Sequence, residues 1–393
     1  MSEQFKFPDK GLVFWPVGTG DSTTIVIDKN ELVMQLDLHH LEKADEDDEP
    51  AWPIIDKLIK LLPRKNEKPY LAVFALTHPD QDHVRGFKEL LSEITIGEIW
   101  HTPRIFRDYE ENDELCDDAK AFRKEVHRRR KKMIENPENI GSGHRVRLIG
   151  HDYLLEEDDY KDFPKSCWTS PGSSITEIDG NDVSDSFEAF VHAPFKKDAA
   201  KERNNTSLAL HISLLDGDKM GKVFFFGDRE YPTIKEIYEK TREKKREKYL
   251  EWDVLLSPHH CSKSVMYWSE EEDKKPKFKK DIMDDFENSK REGGTIIASC
   301  RSEFTNEDGS NPPHMKARNR YKEIVEKGNF LCTHEYPNVD NPKPPVFIVG
   351  DKGFRLIGTK ITKETEKDVA SVVIAARGSS TPPKEQVGFG IFK

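Results

Sequence analysis

A dense group of polar side chains directly after a hydrophobic run is the feature that most restricts how this chain can fold. The run Tyr70 to Leu76 is typical of a buried strand. Four potential metal ligands follow it within six residues: His78, Asp80, Asp82 and His83. A loop at a strand end can turn these side chains toward one point, whereas a helix would spread them around its axis. The alternative is a polar turn in which Asp82 caps a helix that begins near Val84.

Imidazole together with carboxylate is a ligand set that suits zinc, manganese or iron. The high share of carboxylates favours manganese or magnesium more than an all-histidine site would. Two cations could share the four side chains. The stretch therefore predicts a metal site at the end of a buried strand.

Composition limits the class of protein. A chain of 393 residues can bury a large core, and its five cysteines are scattered without any Cys-x-x-Cys pair. We expect reduced thiols and a cytoplasmic protein that makes no membrane contact, because the N-terminus shows no signal pattern and no apolar run approaches the roughly 20 residues of a membrane span. The net charge of -11 argues against a protein that coats nucleic acid through its average field.

The chain alternates between strand and helix patterns, which indicates an α/β fold. Strands are predicted at 11–17, 23–28 and 32–37, and a helix at 52–62 precedes the strand that ends at Leu76. Gly18 and Gly20 fit a structural turn beside the site rather than a phosphate loop. His39 and His40 follow the third strand, either exposed or as outer partners of the site, before an acidic loop at 42–49.

Three further strand ends carry polar groups. Asn204-Asn205-Thr206-Ser207 precedes the predicted strand 208–215, Asp228 follows the strand 221–226, and His259-His260 follows the strand 252–256. A charged helix is predicted between them at 231–250. Later patterns predict a strand at 295–300, a helix from 311 to 327, and terminal strands at 346–349, 354–357 and 369–376.

The predicted helix between residues 113 and 136 has a basic second half, Lys120 to Lys132. Such a run could contact phosphates, but it is more often a solvated face, here neutralised by the acidic residues that precede it. The acidic segment 156–185 is predicted as an insertion or lid loop, and the charged segment 270–290 as a further surface insertion.

The order of these motifs resembles the metallo-β-lactamase superfamily. The likeness is specifically to the branch typified by the soluble domain of ComEC-type DNA-uptake proteins and by phosphorylcholine esterases, here as a stand-alone soluble protein. The motifs that carry the resemblance are Val17 to Ser22, Leu36-Asp37, Thr77 to Gly86, Asn204 to Leu208, Phe226 to Asp228 and Ser257 to Ser262, with a looser match at Asn311 to His314. The resemblance spans roughly residues 12–333.

The resemblance implies an α/β fold of the four-layer αββα sandwich type, with a dinuclear metal site at one edge. We expect this domain to occupy residues 1–358, with insertions near 105–140, 156–185 and 266–292, and a C-terminal extension to occupy 359–393. Two divalent ions, zinc or manganese, are the implied cofactors. His78 and Asp80 would hold one ion, Asp82 and His83 the other, and Asp228 would bridge them. One of His259 and His260 would complete the shell, and the other would orient substrate or carry a proton.

The chain departs from the superfamily pattern at three positions. Asp80 replaces a usual histidine, Asn204-Asn205 offers no clear equivalent of a third-motif histidine, and Cys261 replaces a glycine. The first two changes are normal in the ComEC-type branch. Cys261 either narrows the approach to the metals or supplies a soft ligand as a thiolate.

The resulting functional hypothesis is a metal-dependent phosphodiesterase or nuclease with a phosphodiester substrate, which includes nucleic acids and nucleotides. Asp82, Asp228 and His260 are the predicted catalytic residues, with Asp82 or Asp228 accepting the proton of water. The predicted substrate-binding residues are Asn205, Ser207, Lys263 and His314. Two alternatives stay open, namely hydrolysis of a small ester, lactone or thioester, and an inactive binding module. The sequence does not identify which proteins, if any, bind to this one.

Overall fold

Two large mixed β-sheets lie face to face in the computed structural model, which describes residues 5–41, 52–103, 115–196, 203–270, 274–307 and 309–357. The first sheet has ten strands in the order β21-β20-β1-β2-β3-β5-β6-β7-β8, with β4 paired to β5. Its strands are β1 (Gly11–Phe14), β2 (Thr23–Asp28), β3 (Leu32–Leu36), β4 (Arg64–Lys65), β5 (Lys68–Ala75), β6 (Thr95–His101), β7 (Arg145–Ile149), β8 (Trp168–Thr169), β20 (Val346–Gly350) and β21 (Gly353–Ile357).

The second sheet has seven strands in the order β19-β18-β15-β14-β13-β12-β9. They are β9 (Ser174–Ile175), β12 (Phe187–Ala193), β13 (Ala209–Asp216), β14 (Lys219–Phe225), β15 (Trp252–Leu256), β18 (Lys290–Ala298) and β19 (Phe330–Cys332). Two small hairpins complete the described strands: β10 (Glu177–Ile178) with β11 (Asn181–Asp182), and β16 (Tyr267–Trp268) with β17 (Lys277–Phe278).

Helices cover the outer face of each sheet. They are α1 (Ile54–Leu61), α2 (Gln81–Val84), α3 (Phe87–Glu93), α4 (Asp117–Glu135), α5 (Tyr231–Glu243), α6 (Pro258–Cys261), α7 (Lys280–Ser289) and α8 (Met315–Ile324). On the first sheet, α1 packs against β5 and α4 against β7. On the second, α5, α7 and α8 share a core with β14, β15 and β18. The four-layer αββα sandwich predicted from the sequence is therefore confirmed.

Aromatic side chains fill the space between the two sheets. The ring centroid of Phe14 on β1 lies 6.5 Å from that of Phe225 on β14 and 5.9 Å from that of Phe347 on β20. Strands β1, β5 and β15 are almost entirely buried, which explains their hydrophobic runs. These runs made the strand predictions accurate, because a strand covered on both faces needs apolar residues at every position.

Parallel pairing brings the functional strand ends to one edge. β3 and β5 are parallel neighbours in the first sheet, and β14 and β15 are parallel neighbours in the second. The backbone N–H of Leu208 donates to the carbonyl of Thr77 over 3.0 Å, so the loops after β5 and before β13 meet across the two sheets. The side chains that follow β5, β14 and β15 therefore converge.

The basic helix has one face in solvent, as predicted, and one face anchored to the protein; its exposed basic residues are Lys120, Lys124, Arg128, Lys131 and Lys132. Arg129 on α4 is 2 % exposed and donates to the carbonyl oxygens of Ile96 and Gly97 over 2.9 and 3.1 Å. Arg130 is also buried and lies 3.2 Å from the carboxylate of Asp159. These contacts connect α4 to the first sheet and to the following loop, so two of the arginines are not presented to a nucleic acid.

Two other segments differ from their predictions. The charged stretch 270–290, predicted as a surface insertion, contains α7, whose Ile282 and Phe286 are fully buried in the core of the second sheet. The segment 156–185, predicted as a lid loop, extends the first sheet through β8 and the second through β9. The charged helix predicted at 231–250 ends at Glu243, because Lys245 adopts a left-handed φ of 55°.

Contacts group residues 1–355 into one compact unit. The acidic loop predicted at 42–49, the strand at 369–376 and the C-terminal extension at 359–393 lie outside the described residues. Among the helices that the structure describes, none has the length and apolar character needed to cross a bilayer.

Candidate metal centre

Seven predicted ligands from three strand ends meet in one cluster at the edge of the sandwich. The loop after β5 and the first turn of α2 supply four of them, the turn after β14 supplies one, and α6 supplies two. They are His78, Asp80, Asp82, His83, Asp228, His259 and His260. Most are buried, with side chains exposed by 0 to 5 % for His78, His83, Asp228 and His260.

Asp228 lies at the centre and divides the cluster into two halves. Its Oδ2 atom is 3.6 Å from Nε2 of His78 and 3.7 Å from Nε2 of His259. Its Oδ1 atom is 3.3 Å from Nε2 of His83 and 3.4 Å from Nε2 of His260. Each carboxylate oxygen thus faces its own pair of imidazole nitrogens, which is the arrangement expected of a ligand that bridges two cations.

The first half contains a buried nitrogen without a hydrogen-bond partner. Nε2 of His78 lies 3.8 Å from Oδ2 of Asp80 and makes no hydrogen bond with the described residues. Nδ1 of the same ring is 3.1 Å from the hydroxyl of Thr77. Burial, together with the nearby His83, lowers the pKa of His78. His78 is therefore a neutral imidazole with one nitrogen directed at Asp228, the form in which histidine binds metals.

The second half contains two rings that face each other. Nε2 of His83 is 3.1 Å from Nε2 of His260, and Nε2 of His260 is 3.2 Å from Oδ2 of Asp82. Burial alone would lower the pKa of His83 and of His260, but Asp228 and other carboxylates raise both well above the usual value. Burial raises the pKa of Asp228, but His260 and His83 outweigh this effect and hold it well below its usual range.

Two outer carboxylates fix the rings of the second half. Oδ2 of Asp37 lies 2.8 Å from Nδ1 of His83, and Oδ1 of Asp21 lies 3.4 Å from Nδ1 of His260. Asp37 also accepts hydrogen bonds from the backbone and the hydroxyl of Thr77 over 2.7 and 2.6 Å. A carboxylate at Nδ1 holds a proton on that nitrogen, so Nε2 is the nitrogen that would give up its proton to a bound metal.

The sequence analysis gave no role to Asp21 or Asp37, although both occur in the motifs that carried the resemblance. In sequence, each is a carboxylate in a turn at a strand end, and the same pattern identified Asp228 as a candidate ligand. His39 is buried, and burial lowers its pKa to about 4, with Asp82 and His260 as its nearest charged neighbours. Of the two alternatives for His39, exposure or an outer position beside the site, the structure supports the second.

The histidine pair after β15 occupies an unusual backbone conformation. His259, His260 and Cys261 all have left-handed φ values, of 49°, 49° and 65°. Such a conformation costs roughly 1–2 kcal/mol for each residue other than glycine. The turn directs both rings into the cluster, His259 to one half and His260 to the other. The two histidines therefore face different oxygens of Asp228.

Cys261 does not contribute to the cluster. Its side chain is fully buried and belongs to the hydrophobic core that also contains Tyr321 and Cys332. Burial raises the pKa of the Cys261 thiol well above its usual value. The expectation that this thiolate supplies a soft ligand is therefore wrong.

The four predicted substrate-binding residues have different surroundings. Ser207 is fully buried, with a hydroxyl that has no hydrogen-bond partner in the described structure. Nζ of Lys263 donates to the carbonyl of Glu307 over 3.1 Å. His314 donates from Nε2 to the carbonyl of Ser310 and accepts at Nδ1 from the backbone N–H of Lys263, both over 3.1 Å. Both nitrogens of His314 therefore hold loops together, and the side chain of Asn205 lies outside the described residues.

The cluster opens to solvent on the side of Asp82. The Asp82 side chain is 35 % exposed and lines a cleft of about 780 Å³. His39, Arg85 and Arg301 line the same cleft. A larger cavity of about 870 Å³ lies between α5 and β12 and contains none of the cluster residues.

The donor set fits divalent cations. Nε2 of His78 and Oδ1 of Asp228 are buried polar atoms without hydrogen-bond partners among the described residues. Such atoms are costly to bury unless something binds them. Oxygen atoms of Asp21 and Asp228 lie within 4.8 Å of nitrogens of His83 and His260, and a nitrogen of His78 lies equally close to donor atoms of Asp82 and His83. Imidazole and carboxylate donors in this number suit zinc or manganese.

The comparisons with known proteins are as follows. No protein-family model and no curated protein matches the sequence. Among solved structures, the chain is similar to the metallo-β-lactamase fold protein YhfI from Bacillus subtilis, with 11 % identity over 87 % of this chain and 100 % of YhfI, at a TM-score of 0.40. It is also similar to BJP-1, a subclass B3 metallo-β-lactamase of Bradyrhizobium japonicum, with 15 % identity over 65 % of this chain and 77 % of BJP-1, at a TM-score of 0.32.

Proposed function

We propose that this protein is a metal-dependent hydrolase that holds two divalent cations and cleaves phosphodiesters. The observation that carries the proposal is the position of Asp228, whose two oxygens each face a separate pair of imidazole nitrogens at 3.3 to 3.7 Å. A site for a single ion would not require a carboxylate whose two oxygens face separate pairs of nitrogens. His78, Asp80 and His259 would hold one ion, and Asp82, His83 and His260 the other.

A pair of bound cations would activate a water molecule and neutralise the charge that develops on the scissile phosphate. The residues of the protein fix the positions of the ligand atoms. Asp37 and Asp21 hold the rings of His83 and His260 in one orientation, so the ligand atoms need no rearrangement when a cation enters. Water is excluded from most of the cluster by burial, which strengthens the electrostatic interactions inside it.

Asp82 is the residue placed to accept the proton of the attacking water. Burial raises the pKa of Asp82, but His83 and His260 lower it by more, so its carboxylate stays ionised. Its side chain is also the one that faces the cleft, whereas Asp228 is buried among four imidazoles. Asp82 therefore has the ionised form and the access to solvent that a general base needs, while its lowered pKa makes it a weaker base than a carboxylate in water.

Two observations support a phosphodiester over a neutral ester, lactone or thioester. The cleft beside Asp82 contains two arginines, Arg85 and Arg301, whose guanidinium groups suit phosphate oxygens. The sequence motifs also resemble the ComEC-type branch. The basic helix does not add to this support, because Arg129 and Arg130 are buried in contacts with the protein.

The test is hydrolysis of bis(p-nitrophenyl) phosphate by metal-stripped protein that is re-supplied with zinc, manganese or magnesium. We expect activity only with metal, and two metal ions per chain by elemental analysis. Asp228→Asn should lose both bound metal and activity, because one residue serves both halves of the cluster. Asp158→Asn is the matched control, since its carboxylate is 99 % exposed on a distant loop.

Each outcome separates the alternatives. Metal binding without cleavage of the diester would favour a small ester, lactone or thioester as substrate. Protein that holds no stoichiometric metal, before or after re-supply, would contradict the proposal and favour an inactive binding module.

A further inference from the structure

A buried glutamine joins the two turns that carry the outer carboxylates. Gln35 lies on β3 and is fully buried. Its side-chain NH₂ group donates to the carbonyl of Asp37 over 2.7 Å and to the hydroxyl oxygen of Ser22 over 2.9 Å. Ser22 directly follows Asp21 in the turn between β1 and β2. Both hydrogens of the amide are therefore used, one on each turn.

The hydrogen bonds of Gln35 can run in only one direction. Its Oε1 atom accepts from the hydroxyl of Thr24 over 2.6 Å, and that hydroxyl accepts from Nε1 of Trp15 over 2.8 Å. An indole N–H can only donate and a carbonyl can only accept, so Trp15 and Asp37 fix the orientation of every group between them. Turning the amide over would set its oxygen against the carbonyl of Asp37, and neither atom has a proton to share.

This network lies on the face of the first sheet that points away from the second sheet. Leu36, the next residue on β3, lines a small space together with Phe225 of the second sheet. Gln35 must face the other way, because successive side chains alternate along a strand. Gln35 therefore lies behind the cluster and acts on it only through the two turns.

Each turn presents one carboxylate to the second half of the cluster. Oδ2 of Asp37 lies 2.8 Å from Nδ1 of His83, and Oδ1 of Asp21 lies 3.4 Å from Nδ1 of His260. Asp37 has a left-handed φ of 54°, a conformation that needs stabilising contacts in a residue other than glycine. The hydrogen bond from Gln35 to its carbonyl is one such contact. Loss of the amide would consequently loosen both carboxylates at once.

We propose that Gln35 is a positioning residue of the metal centre. It holds Asp21 and Asp37 so that the rings of His83 and His260 present Nε2 to the same cation. The inference rests on the proposed function, because it assigns both rings to one of two ions. Outer partners of metal-binding histidines typically contribute roughly tenfold to hundredfold to metal affinity. A residue that acts behind two such partners should contribute about tenfold to the affinity for this one ion.

Gln35→Met provides the test, since methionine has a similar length and no group that donates a hydrogen bond. Chelator competition should show one zinc ion bound about tenfold more weakly than in the wild-type protein, with the affinity for the other ion close to its wild-type value. Ser22→Ala is a milder variant that removes one of the two acceptors of the amide. It should weaken the binding of the same ion by about threefold.

The matched control must lose stability without touching the network. Val33→Ala meets this need, because Val33 is fully buried on the same strand, opposite Val26, and loses only apolar contacts. Both Gln35→Met and Val33→Ala should lower the urea midpoint of the metal-free protein, but Val33→Ala should keep both wild-type affinities. A residue that merely stabilised the fold would make the two variants alike in both measurements.

Equal weakening of both ions, or unchanged affinities in Gln35→Met and Ser22→Ala, would overturn the role of Gln35 and leave the two-cation hydrolase intact. If metal binds but no diester is cleaved, the affinities still decide this role.

If the folded wild-type protein takes up no metal, the proposed function fails, and NMR of the metal-free protein decides the role of Gln35 by itself. The proton between Nδ1 of His83 and the carboxylate of Asp37 should give a slowly exchanging imidazole N–H signal in the wild-type protein and in Val33→Ala. That signal should broaden or disappear in Gln35→Met. An unchanged signal in Gln35→Met would overturn the inference.

Discussion

Replacing Asp37 by asparagine tests whether the outer carboxylates control metal binding. The amide oxygen can keep the hydrogen bond from the backbone N–H of Thr77, because the reverse orientation would set two N–H groups against each other. The amide NH₂ then faces Nδ1 of His83 and donates to it. The proton of His83 is consequently forced onto Nε2, where Oδ1 of Asp228 lies 3.3 Å away and can accept it. Asparagine also tolerates the left-handed φ of 54° at this position.

The size of the effect follows from these contacts. A cation can use Nε2 of His83 only if the proton returns to Nδ1. This return breaks the hydrogen bond from the introduced amide and sets its NH₂ group against the N–H of Nδ1, so that two donors face each other. Breaking a buried hydrogen bond in this way costs about 1.5–3 kcal/mol, which corresponds to roughly tenfold to hundredfold weaker binding of one of the two ions. The free energy of unfolding should fall by only about 1–2 kcal/mol, because the hydrogen bond from the backbone N–H of Thr77 remains and only the one from its hydroxyl loses its acceptor.

The assay is chelator competition, which gives the affinity of each bound zinc ion, combined with urea denaturation of the metal-free protein. Asp28→Asn is the matched control, since Asp28 is an exposed residue at the opposite end of β2. We expect Asp37→Asn to weaken the binding of one zinc ion and to leave the affinity for the other close to its wild-type value. Two ions of unchanged affinity in Asp37→Asn would refute the role assigned to the tautomer of His83.

Three further predictions concern stability and geometry. Burial lowers the pKa of His211 to about 4, so the unfolded chain binds a proton at pH 5 that the folded chain does not. The contribution of His211 to stability should therefore fall by about 2 kcal/mol between pH 7 and pH 5. His211→Gln, which can still donate to the carbonyl of Glu251, should remove that part of the slope in urea titrations. Arg129→Ala should destabilise the protein by about 2–3 kcal/mol in the same assay, since it removes a buried cation from the carbonyls of Ile96, Gly97 and Arg145 while Glu125 keeps its pairing with Arg128. Lys131→Ala, at a side chain 78 % exposed, should change stability by less than about 0.5 kcal/mol. Gly20→Ala should weaken metal binding in chelator competition and lower the free energy of unfolding by about 1–3 kcal/mol, because the added Cβ would meet the ring of His39 and lie 2.7 Å from the carbonyl of Asp82. Gly141→Ala is the control and should change neither quantity, since there is open space around Gly141.

The sequence predicted the inner ligands because each stands directly after a buried strand. Runs such as Tyr70 to Leu76 set the strand direction, and the carboxyl ends of parallel strands must lie at the same edge of a sheet. Local pattern placed each of these side chains at a strand end, and the resemblance to a known order of motifs grouped His78 with Asp228 and the histidine pair, although more than a hundred residues separate the first two.

The outer partners and the backbone turn could not be predicted in this way. Asp21 and Asp37 act on rings that are distant in sequence, so nothing in their local pattern distinguishes them from ordinary turn residues. Three consecutive left-handed residues at His259 to Cys261 contradict local preference, since no glycine or asparagine is present. Arg129 illustrates the same limit, because a basic run is usually solvated and its acceptors lie on another strand.

The origin of the ligands links the metal centre to the architecture. His78 and His83 belong to the first sheet, whereas Asp228 and His260 belong to the second, so the cluster forms only when the two sheets are in contact. The strained turn at His259 is stable because the packed sheets hold it in place. A cation bound between the halves would therefore stabilise the whole sandwich and not a single loop. When the free metal concentration is one hundred times the dissociation constant, that stabilisation amounts to about 2.7 kcal/mol. This value is within about a factor of two of the conformational cost of the left-handed turn.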